Sequence, residues 1–278
     1  GILMGALAWD RADRAMENAP ALEANAPSRV LVRYAGAFLG AVVTLVSLGY
    51  LIEQVLLRAV TRGAATPSQH ALLGMFDWTW TLAYLPVATV VWINGARGAR
   101  SDAEVGGESR RVGTARRLVR YILSAAGLAA FWYGLVEFAR LILQVILAGD
   151  TAGSLAASGW LTRFALAASL LLVGAPAWWG HWWSQQVRAR TEGAHGRGER
   201  ASLVRRTYLV LIILAGAALT VAAIGFGTFL AANWDAASSV GGVRAAVAGA
   251  IAAAIVSLFW ALTHSLALRG DLRRLAGD

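Results

Sequence analysis

The amino-acid sequence predicts an all-α protein, a polytopic transmembrane helical bundle built of tandem two-helix hairpin repeats. The first observation is composition: 58% of the 278 residues are hydrophobic and only 15% are charged, whereas soluble proteins average about 45–50% apolar residues. The second is a series of six long apolar segments, and the third is a repeat with a spacing of 87 residues. Cysteine is absent, which excludes disulfides, thiolate nucleophiles and cysteine-ligated metals.

Six apolar segments follow one another along the chain. Each reaches or exceeds about 20 residues, the length that crosses the hydrocarbon of a bilayer, and none shows the alternation of a strand. Because backbone polar groups need internal partners in lipid, each segment is predicted to be a helix. The opening residues 1–9 are too short to cross, and we interpret them as the end of a helix that begins upstream. The segments are residues 30–57, 71–95, 117–148, 160–184, 205–233 and 242–268.

The arginines are distributed unevenly between the two predicted sides of the membrane. All 25 basic residues are arginine, and 20 of them lie in the N-terminal loop, in alternate connections and in the C-terminal tail. The positive-inside rule places this side in the cytoplasm. The net charge of +9 is therefore predicted to meet anionic lipid headgroups of the bilayer at the arginine-rich face. Nucleic acid is not predicted as a partner, because these loops lack interleaved aromatic residues.

Short motifs recur along the chain at the spacing expected of tandem repeats. Tyr34, Tyr121 and Tyr208, near the start of the first helix of each pair, are spaced by 87 residues, as are Trp92 and Trp179 in the second helices. An even number of helices in each unit gives all units the same orientation, unlike the inverted repeats of many secondary transporters. The predicted boundaries are 1–28 for a truncated helix with its loop, and 29–115, 116–202 and 203–278 for three repeats.

The motif Arg120–Tyr121, followed by Trp179–Trp182 with its central His181, resembles a family of bacterial multi-pass membrane domains of unknown function. In that family an Arg–Tyr helix precedes a helix that ends in a Trp–His–Trp-like motif, often in tandem. Arg33–Tyr34 and Trp92–Asn94 match the same pattern, with asparagine in place of histidine. The resemblance covers nearly the whole chain and implies no activity. Together with the arginine distribution, it predicts the bacterial inner membrane as the location.

Four tryptophans surround His181 in one helical stretch. On a helix their indoles cover one face, which is typical of the aromatic belt at a membrane interface. His181 lies off that face, near small residues that suit helix packing. His181 is a candidate axial ligand for haem or a chlorophyll-type pigment, and the favoured alternative is a structural histidine that forms a hydrogen bond. In the last repeat the corresponding position holds no histidine, and His264 lies beyond it. The predicted belt comprises Trp92, Trp178, Trp179, Trp182, Trp183 and Trp260.

Two glutamates are candidate functional residues because ionisable groups within a bilayer are functional by default. Glu53 and Glu137 both lie toward the side with few arginines, and Glu137 has Arg140 three residues later as a helical partner. Arg163 also lies within possible reach of Glu137. We favour structural ion pairs, and the alternative is a polar path for protons or ions.

The sequence predicts that the protein is not an enzyme. A regular helical array without a polar row across any helix centre indicates a non-catalytic structural or accessory subunit of a larger membrane complex, with other membrane subunits as partners. One alternative is a transporter, channel or membrane sensor that uses Glu53 and Glu137. Another is a haem- or pigment-binding subunit that uses His181.

Overall fold

The computed structural model describes residues 20–60, 78–106, 109–148, 159–233 and 240–277. These residues form eight helices, and no strand occurs among them, which confirms the predicted all-α class. The helix end expected at residues 1–9 lies outside the described residues. The helices are α1 (Pro20–Ala24), α2 (Pro27–Val60), α3 (Trp78–Gly106), α4 (Arg110–Ala148), α5 (Trp160–Arg190), α6 (Gly193–Arg200), α7 (Leu203–Ala232) and α8 (Val240–Gly277).

Five of the described helices, α2, α4, α5, α7 and α8, are long and apolar enough to cross a membrane. They coincide with five of the six predicted segments. The sixth, residues 71–95, begins outside the described residues and continues into α3, which does not reach the same hydropathy because threonine, tyrosine and asparagine interrupt it. The set of apolar helices fits an integral membrane protein.

Several helices continue well beyond their apolar segments. With 31 residues and about 1.5 Å of rise per residue, α5 is longer than the roughly 30 Å of bilayer hydrocarbon. Two arginine-rich stretches also form helix: residues 97–106 extend α3 and residues 193–200 form α6. Gly193 adopts a φ of 80°, a conformation open to glycine, and this lets the chain turn between α5 and α6.

The first compact unit contains the described residues 20–47, 78–106 and 109–123. In it α2 and α3 run antiparallel at very short distance, since a methyl group placed on Gly40 would lie 2.5 Å from the backbone nitrogen of Trp92. At the arginine-rich end of this pair, the guanidinium of Arg29 donates to both carboxylate oxygens of Asp102 at 3.0 and 3.1 Å. Arg33 lies 3.5 Å from the same carboxylate. Close backbone packing and an ion pair thus hold the two helices together.

The second compact unit contains the described residues 48–60, 124–148, 159–233 and 240–277. Helices α4 and α5 approach closely where Gly127 faces the backbone of Trp178, and α7 and α8 do so where Gly216 faces Ser257. The indole nitrogen of Trp132 on α4 donates to the Ser257 hydroxyl at 2.9 Å. This cluster of four helices carries the candidate site.

Candidate functional site

A cleft of about 850 Å³ opens among α4, α5 and α8 in the second unit. We call it the aromatic cleft. Nearly all of its wall is apolar, so it is suited to a hydrophobic molecule rather than to a water-filled path. Its principal lining residues are Phe131 and Leu135 of α4, Trp178 and Trp182 of α5, and Trp260 and His264 of α8.

The rings of the aromatic cleft contact one another in a continuous cluster. Trp178 and Trp260 meet edge to face, with ring centroids 4.8 Å apart and planes at 71°. Phe131 lies 5.9 Å from Trp178 and 5.6 Å from Trp260. Trp182 lies 4.8 Å from the His264 ring. Such offset and edge-to-face arrangements are favourable for aromatic pairs, and they fix the shape of the cleft wall.

His264 is the buried histidine of the site, with only 1% of its surface exposed. Its Nδ1 lies 2.9 Å from the carbonyl oxygen of Trp260, one turn earlier on α8. Because a carbonyl only accepts, Nδ1 carries the proton and Nε2 presents a lone pair. Nε2 has no hydrogen-bond partner among the described residues. No group of three metal-ligating side chains occurs among the described residues.

A buried polar network underlies the arginine-rich end of the same helices. Arg205 of α7, with 0% of its side chain exposed, donates to Asp271 of α8 at 2.6 and 3.2 Å and to Gln186 of α5 at 3.0 Å. Its guanidinium also lies 5.8 Å from the Trp182 ring. The Tyr208 hydroxyl, one turn further along α7, shares a hydrogen bond of 3.1 Å with Ser124. The network joins α4, α5, α7 and α8 and supports the cleft wall at Trp182.

The predicted tryptophan belt divides into two groups in the structure. Trp179 and Trp183 are 52% and 44% exposed, and their stacked rings have centroids 5.0 Å apart. Trp178, Trp182 and Trp260 are instead buried within the helix cluster, because α8 covers one edge of the indole-bearing face of α5 and α5 in turn covers Trp260. These three residues contact neighbouring helices, and the interfacial belt stays a prediction. Trp92 of α3 is half-buried.

The predicted ligand His181 does not line the aromatic cleft. It is half-buried on α5, one residue before Trp182, and its carbonyl accepts a hydrogen bond from Ser184. The histidine that does line the cleft is His264, which lies outside the repeat register and is therefore not a ligand that the sequence predicts. One sequence feature indicates its position: Trp260 and His264 are four residues apart and so share a helix face, as do Trp178 and Trp182.

The structure brings Glu137, Arg140 and Arg163 together. Glu137 is 9% exposed; Arg140, three residues later on α4, contacts one carboxylate oxygen at 3.3 Å, and Arg163 of α5 lies 3.6 Å from the other. A carboxylate held between two guanidinium groups is neutralised locally, which suits a structural junction of α4 and α5 better than a conducting path. Glu53 is almost fully buried in the part of α2 that belongs to this unit.

Replacing Glu137 with glutamine is expected to destabilise the protein. The change removes the anion between two arginines and leaves their charges to repel each other, at a cost of about 1–3 kcal/mol. The measurement is unfolding of the detergent-solubilised chain followed by tryptophan fluorescence. Glu192→Gln is the matched control, since Glu192 is exposed and its change should leave stability unaltered. Unaltered stability of Glu137→Gln, with loss of an ion or proton flux, would instead favour the polar path.

Comparison with known proteins gives one family match. A family model described as a domain of unknown function (DUF5671) matches residues 117–259. The matched residues include Phe131, Trp178 and Trp182 and end one residue before Trp260. No curated protein and no solved structure matches the chain.

Proposed function

Because the chain belongs to the DUF5671 family, whose description gives no activity, we propose a function from its geometry: it is a non-catalytic accessory subunit of a larger membrane assembly. The observation that carries this proposal is an exposed stripe of small residues on α7. The proposed partners are other membrane subunits, whose helices would pack against that stripe. Anionic lipids would contact the arginine-rich end.

Helix α7 is the most apolar of the five candidate spans, with a mean hydropathy of 2.6, and only 11% of its apolar window is buried. Four small residues share its outer face, opposite the buried Gly216. At about 100° per residue they fall within a narrow arc. Lipid alone does not call for small side chains, whereas contacts between transmembrane helices are enriched in them because they allow close approach. The stripe consists of Ala215, Ala218, Ala222 and Gly225.

The proposed orientation places the arginine-rich end in the cytoplasm of a bacterium, with the protein in the inner membrane. The distribution of 20 of 25 arginines supports it. Two ion pairs at the same predicted end add support, Arg29 with Asp102 in the first unit and Arg205 with Asp271 in the second. In each pair the arginine lies near the start of one helix and the aspartate near the end of the next.

Tandem two-helix repeats remain part of the proposal. In each unit, a glycine on the first helix of a pair lies against the backbone of a tryptophan on the second helix. The contacts are Gly40 with Trp92 and Gly127 with Trp178. The two glycines are 87 residues apart, the same spacing as the tyrosines, and the two contacted tryptophans are 86 apart, one residue short of it. This recurrence of one packing contact supports a common origin of the hairpins.

Replacing Ala222 with leucine is expected to disrupt association with a partner subunit. A leucine in the stripe holds a neighbouring helix away, and overpacking of about 1–3 kcal/mol corresponds to roughly a fivefold to hundredfold weaker association. The measurement is native mass spectrometry after extraction from native membranes in mild detergent. Val221→Leu is the control, because Val221 is a large exposed residue outside the stripe. Detection of the wild-type chain only as a monomer with bound lipid would contradict the accessory role.

A further inference from the structure

We propose that the aromatic cleft binds a lipid-soluble molecule whose ring carries a hydroxyl group, of the phenol or quinol class, with His264 as the hydrogen-bond acceptor. This is a binding site, and no reaction is assigned to it. The proposal is independent of the accessory role, since it rests on the walls of the cleft and not on the outer face of α7.

The dimensions and walls of the cleft fit a ring-bearing molecule. Its volume of about 850 Å³ lies in the usual range of small-molecule sites, about 300–1,000 Å³. Phe131, Trp178 and Trp260 present ring faces and edges to it at mutual centroid distances between 4.8 and 5.9 Å. A flat ring gains edge-to-face and offset contacts with such walls in addition to burial of its apolar surface.

Two polar atoms of residues that line the cleft define what the ring must carry. His264 Nε2 is an acceptor, because Nδ1 already donates to the Trp260 carbonyl. The indole nitrogen of Trp260 is a donor. Neither atom has a hydrogen-bond partner among the described residues, and each such buried group costs about 1–3 kcal/mol. A hydroxyl group matches both, since it donates to the first and accepts from the second. Both atoms are covered by neighbouring side chains, so binding requires a local shift of these side chains.

The position of the cleft along the helices suits an amphiphile that enters from the lipid. His264 is five residues from Arg269 on α8, about 7.5 Å along the axis, and so lies near the arginine-rich end. Leu135, which also lines the cleft, is 15 residues past Arg120 on α4, about 22 Å from that arginine along the helix axis. A hydroxylated ring would therefore lie near the interface at His264, with an apolar tail extending through the hydrocarbon toward Leu135.

A haem-like pigment fits the cleft less well. Of the described residues that line it, His264 is the one histidine and none is cationic, whereas the acidic groups of a haem need cationic partners. The nearby Arg205 is already engaged with Asp271 and Gln186. The unpartnered donor on Trp260 also favours an oxygen of the ligand over a metal ion.

The test is calorimetric titration of the 278-residue chain in detergent micelles, with protein-free micelles subtracted. The probe is tetramethylhydroquinone, and its dimethyl ether is the matched compound without hydroxyl hydrogens. We expect the hydroquinone to bind about tenfold more tightly than the ether, the size of one good buried hydrogen bond. His264→Leu should remove that preference, and Trp260→Phe, which keeps a ring in the wall, should weaken hydroquinone binding severalfold.

His181→Leu is the control substitution, because His181 lies outside the cleft lining and should leave both titrations unchanged. Unfolding curves of each variant show that it is folded, and Trp260→Phe tests the site even where His264→Leu does not fold. Equal affinity for the hydroquinone and the ether, equal affinity of wild type and Trp260→Phe, or no binding of either compound would overturn the proposal. A haem absorbance band in protein purified from native membranes would also overturn it, in favour of a metal-centred pigment.

Discussion

Replacing Arg205 with methionine is expected to destabilise the protein by about 3–5 kcal/mol, the cost typical of removing one partner of a buried ion pair. Arg205 has no exposed side-chain surface and holds Asp271 at 2.6 Å and Gln186 at 3.0 Å. Its loss leaves a carboxylate that is 90% buried without the cation that neutralises it. The expected result is a lower detergent concentration at the midpoint of sodium dodecyl sulfate unfolding, measured by far-ultraviolet circular dichroism.

Three further variants separate the ion pair from the rest of the Arg205 side chain. Arg206→Met is the matched control, since Arg206 is exposed and adjacent and its loss should change stability by less than about 0.5 kcal/mol. Arg205→Lys keeps the positive charge but loses the planar guanidinium group with its paired donors. Its stability should therefore lie between those of wild type and Arg205→Met. The double variant Arg205→Met with Asp271→Leu should recover much of the lost stability, because no unpaired charge then remains buried. A double variant as unstable as the single one would show that packing against Trp182, and not the pair, is what Arg205 contributes.

The helices could be predicted from the sequence because their signal is local. Apolar runs of sufficient length and uneven arginines depend on no tertiary contact, and five of the six predicted segments are apolar helices in the structure. The contact between Glu137 and Arg140 was also accessible, since three residues along one helix fix their proximity. The contact of Arg163 with Glu137 joins two neighbouring helices, so it could be identified only from the structure.

The aromatic cleft could not be predicted in the same way. On a helix the indoles of Trp178, Trp179, Trp182 and Trp183 share one broad face, and the sequence does not say how much of it a neighbouring helix covers. In the structure α8 covers Trp178 and Trp182 and leaves Trp179 and Trp183 exposed. The position of His264 in the cleft lining likewise depends on which helices become neighbours. The same holds for the ion pair of Arg205 with Asp271, which are 66 residues apart. The surrounding tryptophans pointed to His181, because neighbours along one helix are visible in the sequence whereas contacts between hairpins are not.

Replacing Gly127 with alanine is expected to separate α4 from α5 and destabilise the second unit. A methyl group at this position would lie 2.5 Å from the backbone nitrogen of Trp178, and backbone cannot move aside as a flexible side chain does. Gly174 makes the reciprocal contact, since a methyl group there would lie 2.5 Å from the backbone nitrogen of Phe131. Each alanine should cost about 1–3 kcal/mol by overpacking, measured in the same unfolding titration. Because Phe131 and Trp178 line the aromatic cleft, both variants should also weaken binding of tetramethylhydroquinone.

Gly180→Ala provides the opposite expectation on the same helix. Gly180 is exposed, and a methyl group there would meet no atom within 4 Å. Alanine has a higher helix propensity than glycine by about 1 kcal/mol in water, so this variant should be as stable as wild type or slightly more so. The same substitution of glycine by alanine is therefore expected to lower stability at the packed Gly127 and to maintain or raise it at the exposed Gly180. Equal effects at Gly127 and Gly180 would mean that backbone flexibility, and not the contact between α4 and α5, explains the glycine at position 127.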